Sequence, residues 1–299
     1  MMITITRIIL SIFFLTFTYP VLAKVSLQSL NVNGNKRDYR LFIPTDPLHD
    51  KQYSLLLNFH GTGSTPESQN QLSEFELIAA QQLFIVVSPA AQYQRKEGGL
   101  LTWNVDKDPN GVNDVEFIKL LLKDLQLHFP IDAKRIYAAG MSGGGRMVSR
   151  LGCDLSETIA AIASVTGLRF PENCVASMNV PVIAFHGKLD TINHYSLQSA
   201  SPSYWREGVE RALSKWVKHN QCLNTNTSEI KVTEQVTKLH YKGCKNNSDV
   251  VFYRSSNAGH TWPGSPLAKA FEDYGLGITN TDLPASKIIW EFFVNHPKS

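Results

Sequence analysis

The sequence has no apolar run long enough to cross a bilayer. The longest, Ile8–Phe17 near the N-terminus, covers about ten residues against the roughly 20 that a spanning helix needs. It also has no excess of one charge: 29 Lys and Arg stand against 26 Asp and Glu, a formal net charge of +3, and no basic run breaks the balance. A phosphate-tracking surface needs clustered cations, so nucleic acid is not an expected partner. Cysteine is scarce, with four in 299 residues, and no two form the C-x-x-C pair of metal and redox sites. Neither G-x-G-x-x-G nor a lysine-bearing P-loop occurs, which argues against a phosphate cradle. Repeats and low-complexity linkers are missing as well. What remains, 43% hydrophobic and 18% charged residues, is the balance of a globular protein that buries a core, and excludes collagen, coiled coil and disorder.

The N-terminus carries a lone Arg7, the apolar stretch Ile8–Phe17, then Val21 and Ala23 at the small-residue positions before Lys24. This pattern reads as a cleaved signal peptide over residues 1–23, against the alternatives of a buried strand or an uncleaved anchor. Residues 24–299 are then expected to be a single secreted or periplasmic domain with no integral membrane association. In an oxidising compartment Cys153, Cys174, Cys222 and Cys244 favour disulfides over metal ligation or thiol catalysis. Of the three possible connectivities, Cys153–Cys174 and Cys222–Cys244 are preferred because each closes a loop of about twenty residues; free buried thiols are the alternative.

Residues Val25–Ile43 alternate around Asn33-Gly34, the signature of an antiparallel hairpin. Beyond them, residues 54–59, 84–88, 135–140 and 180–185 are short apolar runs without polar alternation, as in strands buried on both faces. Helical patterns separate them. One starts at Thr65 as N-cap with Pro66 at its first position and runs to about Gln82; another spans Asp114 to Phe129, stopped by Pro130. The last third continues with a helix around Tyr204–Asn220, strands near Ile230–Tyr241 and Asp249–Arg254, and a closing helix capped by Asp282. Strand-helix alternation of this kind predicts an α/β fold: a mainly parallel central sheet with helices on both faces, preceded by the N-terminal hairpin. The irregular segments 89–113 and 187–203 are long enough to shape a site.

Gly140-Met-Ser-Gly-Gly144 fits G-x-S-x-G, directly after a buried strand and before a helical stretch. Such a sharp turn needs small neighbours so that Ser142 stands clear, although a glycine-rich turn can also serve packing alone. A serine hydroxyl is inert near neutral pH without a base, and the base needs a carboxylate to hold it. His260, in a small-residue loop after a late strand, and Asp190, just past the strand ending at Phe185, are the candidates. Their order, Ser142, Asp190, His260, is that of the α/β-hydrolase arrangement. Each has a plainer reading, a turn aspartate and a hydrogen-bonded loop histidine. An oxyanion hole needs a second N–H beside that of Gly143, and Thr62 in His60-Gly-Thr-Gly-Ser64 is the candidate donor. Trp205, Trp216 and Trp290 read as core.

Taken together, His60-Gly-Thr-Gly-Ser64, Thr102-Trp-Asn104, Arg135 to Gly144, His186-Gly-Lys-Leu-Asp190 and Gly259-His-Thr-Trp-Pro-Gly264 resemble the secreted polyhydroxybutyrate depolymerase and feruloyl esterase family, over about residues 28–296. The resemblance implies Ser142, Asp190 and His260 as the triad, Thr62 and Gly143 around the oxyanion, Trp103 and Trp262 flanking the acyl pocket, two disulfides, and neither metal nor organic cofactor. Many polymer-degrading members have Cys where this chain has Thr62 and carry linker and polymer-binding domains, of which none is read here. The expected substrate is therefore a soluble hydroxybutyrate-type oligomer or a feruloyl or acetyl ester. A serine peptidase on the same fold and a non-catalytic exported binding protein are the rival expectations.

Overall fold

A computed structural model describes residues 24–45, 52–223 and 227–298. The leader pattern of residues 1–23 lies outside them. The chain runs β1 (Lys24–Val32), β2 (Asn35–Ile43), β3 (Tyr53–Phe59), α1 (Pro66–Ser73), α2 (Phe75–Gln82), β4 (Ile85–Pro89), α3 (Asp114–His128), β5 (Ile131–Met141), α4 (Gly143–Asp154), β6 (Ala161–Val165), β7 (Val182–Gly187), α5 (Val209–His219), β8 (Thr227–Lys231), β9 (Val236–Tyr241), β10 (Val250–Ser255), α6 (Ala268–Asp273) and α7 (Ala285–Val294).

All ten strands join one sheet in the order β1-β2-β4-β3-β5-β6-β7-β10-β9-β8. The centre, from β4 to β10, is parallel. Antiparallel pairs close both edges. Asn33 and Gly34 turn the β1–β2 hairpin with φ of 51° and 84°, a turn that demands positive φ at both central positions. This is the α/β-hydrolase arrangement.

Period-two alternation within each central strand divides the core in two. Leu55, Leu57, Ile136, Ala138, Ile162, Val182 and Phe252 face α3, α4 and α5. Their neighbours Leu56, Tyr137, Ala139, Ala163, Ile183 and Val251 face α2 and α7. Trp205, Trp216 and Trp290 are all buried. Among the described residues no helix is long and apolar enough to cross a membrane.

Several boundaries differ from the sequence pattern. The helix read from Thr65 to Gln82 is two helices, because Glu74 adopts a left-handed conformation, φ 52°, that closes α1 and redirects the chain. The redirection buries Phe75 against Trp262, ring centroids 5.8 Å apart. Asp282 does not cap the closing helix: α7 begins after Pro284, with no side-chain cap. Strand β6 and helix α6 are additional elements, and the stretch near Ile230–Tyr241 is the hairpin β8–β9. The cysteines pair as Cys153–Cys174 and Cys222–Cys244, 21 and 22 residues apart.

Candidate active site

The parallel strands all end on one side of the sheet, and the candidate residues sit on the loops that leave those ends, the usual place for sites in open α/β sheets. Ser142 lies between β5 and α4 with φ 55° and ψ −114°, a strained conformation for a residue with a side chain. The surroundings hold it there: its N–H donates to Val165 O at 2.9 Å, and its carbonyl accepts from Arg146 N at 3.0 Å. A side chain at position 144 would collide with the carbonyls of Phe59 and His60, so glycine allows α4 to pass close to the end of β3. At position 143 a Cβ would stand 2.6 Å from Thr62 Oγ1 and 3.0 Å from Thr62 N. The backbones of Thr62 and Gly143 therefore face each other at the helix N-terminus, where N–H groups are unpaired and favour negative charge.

Asp190 and His260, 70 residues apart, meet. His260 Nδ1 donates to Asp190 Oδ2 at 2.8 Å, and both side chains are buried. A carboxylate only accepts, so this contact fixes the Nδ1–H tautomer and leaves Nε2 as the nitrogen free to take a proton. Asp190 Oδ1 accepts the N–H groups of Ile192 and Asn193, each at 2.8 Å. A second histidine, His186, brings Nε2 within 3.2 Å of Asp190 Oδ2 and within 2.8 Å of Asn193 O. Burial alone would raise the Asp190 carboxyl. His260 and His186 outweigh it and hold the group well below the usual carboxylate range.

A chain of hydrogen bonds ties the acid loop to the serine turn. Asn193 Nδ2 donates to Thr166 O at 2.6 Å, and Thr166 follows Val165, which holds Ser142 N. Sequence reasoning missed Asn193, Thr166 and the partnership of His186, because none is nucleophile or base and no motif marks Asn193 or Thr166. The four-residue spacing from His186, at the end of buried β7, to Asp190 is the one signal that could have found His186.

The loop after β3 is fastened from several sides. His60 donates through Nδ1 to Gly61 O at 2.7 Å and accepts the Ala91 N–H at Nε2, 3.1 Å away. Burial pushes this imidazole down to about 4, with the Gly61 bond working in the opposite direction. Thr62 Oγ1 meets Thr102 Oγ1 at 2.7 Å, and Gly63 N donates to Leu101 O at 2.8 Å. Trp103 and Trp262 are 0% and 1% exposed. Their indole N–H groups donate to His60 O and Ser286 Oγ, and both rings are closed off from solvent. A surface cavity of about 630 Å³ opens at the other end of α4, lined by charges of both signs including Lys107, Lys119 and Asp154, and holds none of these groups.

The sequence model of the family described as phospholipase/carboxylesterase matches residues 47–237. The chain is 27% identical over 162 residues to a bifunctional acetylxylan esterase/xylanase of Neocallimastix patriciarum, covering 54% of this chain and 22% of that protein. It is 28% identical over 225 residues to feruloyl esterase B of Piromyces equi, covering 71% and 40%. The chain thus spans less than half the length of either relative. Among solved structures, the acetyl xylan esterase from Aspergillus awamori superposes with a TM-score of 0.60 at 15% identity, over 84% of this chain and 100% of that one, a likeness of fold.

Proposed function

The chain belongs to the phospholipase/carboxylesterase family, and on that premise we propose that it is a carboxylic ester hydrolase using Ser142 as nucleophile, His260 as base and Asp190 as the group that orients the base. The observation that carries this reading is the 2.8 Å bond from His260 Nδ1 to Asp190 Oδ2, formed at the same sheet end as the strained serine turn.

In this mechanism His260 Nε2 takes the Ser142 proton as Oγ attacks the ester carbonyl, and the N–H groups of Thr62 and Gly143 stabilise the tetrahedral oxyanion. The imidazolium then protonates the departing alkoxide, which leaves as the alcohol. Water, deprotonated by the same ring, cleaves the acyl-serine and releases the acid. Asp190 stays ionised throughout and supports the imidazolium.

The substrates proposed are feruloyl or acetyl esters and soluble hydroxyacid oligomers, processed by residues 24–299 as a single exported unit after loss of residues 1–23. Two disulfides support passage through an oxidising compartment. A fluorophosphonate probe is expected to label the protein, and Ser142→Ala to lose both labelling and at least about 10⁴-fold in kcat on p-nitrophenyl esters. Failure of the intact protein to label would count for a non-catalytic binding role. A panel of feruloyl, acetyl-xylan and 3-hydroxybutyrate oligomer esters then assigns the substrate.

A further inference from the structure

Four arginines gather around Tyr204 and Asp106 with little acid to balance them. The Arg146 guanidinium carbon lies 4.3 Å from the Tyr204 ring centroid and that of Arg95 lies 4.6 Å from it. Arg169 Nη1 stands 2.7 Å from Asp106 Oδ1, with Arg95 3.7 Å and Arg206 3.8 Å from the same carboxylate. Arg206 also pairs with Glu172 at 2.9 Å, while Glu207, next in the chain, is held by Lys215 at 2.5 Å. Four cations thus face two carboxylates, Asp106 and Glu172. That local excess of two is large for a chain whose whole formal charge is +3.

Arg146 is the member least accounted for. It is 2% exposed, yet its guanidinium has no carboxylate partner among the described residues. Its partners are neutral, the amide oxygen of Asn193 at 3.4 Å from Nη1 and the Tyr204 hydroxyl, and Nε is buried without a hydrogen bond. A buried cation without a counter-ion is unfavourable. Burial, together with the like charge of Arg95, pushes this guanidinium down to about 10.

The cluster is built from the segments that hold the candidate catalytic groups. Arg146 lies one turn beyond Ser142 on α4, about 6 Å along the helix axis. Asn193, its amide partner, gives its N–H to Asp190. Arg95 belongs to the loop whose Thr102 meets Thr62. Arg95 and Arg206, 30% and 46% exposed, open the cluster to solvent. Guanidinium groups bind carboxylates with paired N–H donors and stack on aromatic rings, and this site offers both features.

We propose that the cluster of Arg95, Arg146, Arg169 and Arg206 around Tyr204 and Asp106 is a subsite for a free carboxylate on the ester substrate. The enzyme then favours anionic esters: half-esters of dicarboxylic acids, with the charge on the acyl side, or hydroxyacid oligomers, with the charge at the carboxylate end. The inference rests on the ester-hydrolase reading and narrows its substrate class.

Two pairs of substrates test it at low salt. One is the p-nitrophenyl half-ester of adipic acid against its methyl ester; the other is the 3-hydroxybutyrate dimer as free acid against its methyl ester. At least one free acid is expected to show a kcat/KM about tenfold above that of its methyl ester, through KM, and the advantage should shrink as NaCl rises. The arm that shows it identifies which half of the substrate carries the charge. Arg95→Gln and Arg206→Gln, both on the exposed side, should each reduce the ratio severalfold, and Arg146→Met more, if it folds. Ratios near or below one in both arms overturn the proposal, as does a preference that persists in the Arg95→Gln/Arg206→Gln double variant. No turnover of any of the four esters removes the hydrolase reading and this proposal with it, whereas turnover without discrimination removes the proposal alone.

Discussion

Asn193 has every polar group engaged: its N–H on Asp190, its carbonyl on His186, its amide nitrogen on Thr166 and its amide oxygen on Arg146. Asn193→Ala leaves the Thr166 carbonyl buried and unpaired and takes from the Arg146 guanidinium one of its two neutral partners, while the backbone bonds survive. A stability loss of about 1–3 kcal/mol is expected in urea unfolding, and an unchanged midpoint would show that the amide carries little. Thr62 poses a sharper question, because many polymer-degrading enzymes of the resembling family have cysteine there. If its backbone N–H is the group that matters, the side chain only fastens the loop through Thr102. Thr62→Val should then keep kcat within about tenfold, where loss of an oxyanion donor costs about 10²–10³. A hundredfold fall in kcat would assign the hydroxyl a direct part.

At the scale of elements, the break between α1 and α2 departs most from what the sequence pattern suggested. Residues 65–82 contain neither glycine nor an internal proline, so nothing local announces a stop. The stop comes from tertiary packing, which places Phe75 and Ala79 in the core and forces Glu74 into the left-handed region. Glu74→Gly should relieve that conformation and raise stability by about 0.5–1 kcal/mol, read as a shift in the urea midpoint without loss of helix content. The central strands were legible for the opposite reason: Leu55–Leu57 and Ile85–Val87 are apolar on both faces, as only doubly covered strands are. Strand β6 was not legible because Ala161, Ala163 and Ser164 carry little strand preference, and of these Ser164 faces α4, where its hydroxyl donates to Gly145 O. The meeting of Asp190 with His260 was legible, since both follow buried strands in the order the fold requires. The roles of Asn193, Thr166 and His186 depend on the register of β6 against β7, a relation between distant segments that no local pattern encodes.

For the molecule as a whole, buried histidines set the acid limit of stability. His60 is 1% exposed and its imidazole is pushed from 6.5 down to about 4 by burial, and burial also lowers His219 and His296. In the unfolded chain these rings take up protons near pH 6.5, while in the folded chain His60 stays neutral to about pH 4. Between those values the unfolded state binds more protons, so folding stability is complete above pH 6.5 and declines as pH falls toward 4. A 2.5-unit gap makes the His60 share about 3 kcal/mol. Asp190 behaves differently. Its carboxyl is held below the usual range, so its contribution persists through that window and is lost only at lower pH. The decline between pH 6.5 and 4 therefore belongs to the histidines, and it has a structural cause at His60: a proton on Nε2 would point at the Ala91 N–H that this nitrogen now accepts. Thermal unfolding followed from pH 8 to pH 4 should show a plateau and then a fall in Tm beginning near 6.5. His60→Gln should lower the plateau yet flatten the fall, because the variant has no proton to gain at that position. A wild-type Tm constant from pH 8 to 4.5 would mean that the His60 ring accepts its proton without cost, and that the loop carrying Thr62 is looser than its hydrogen bonds imply.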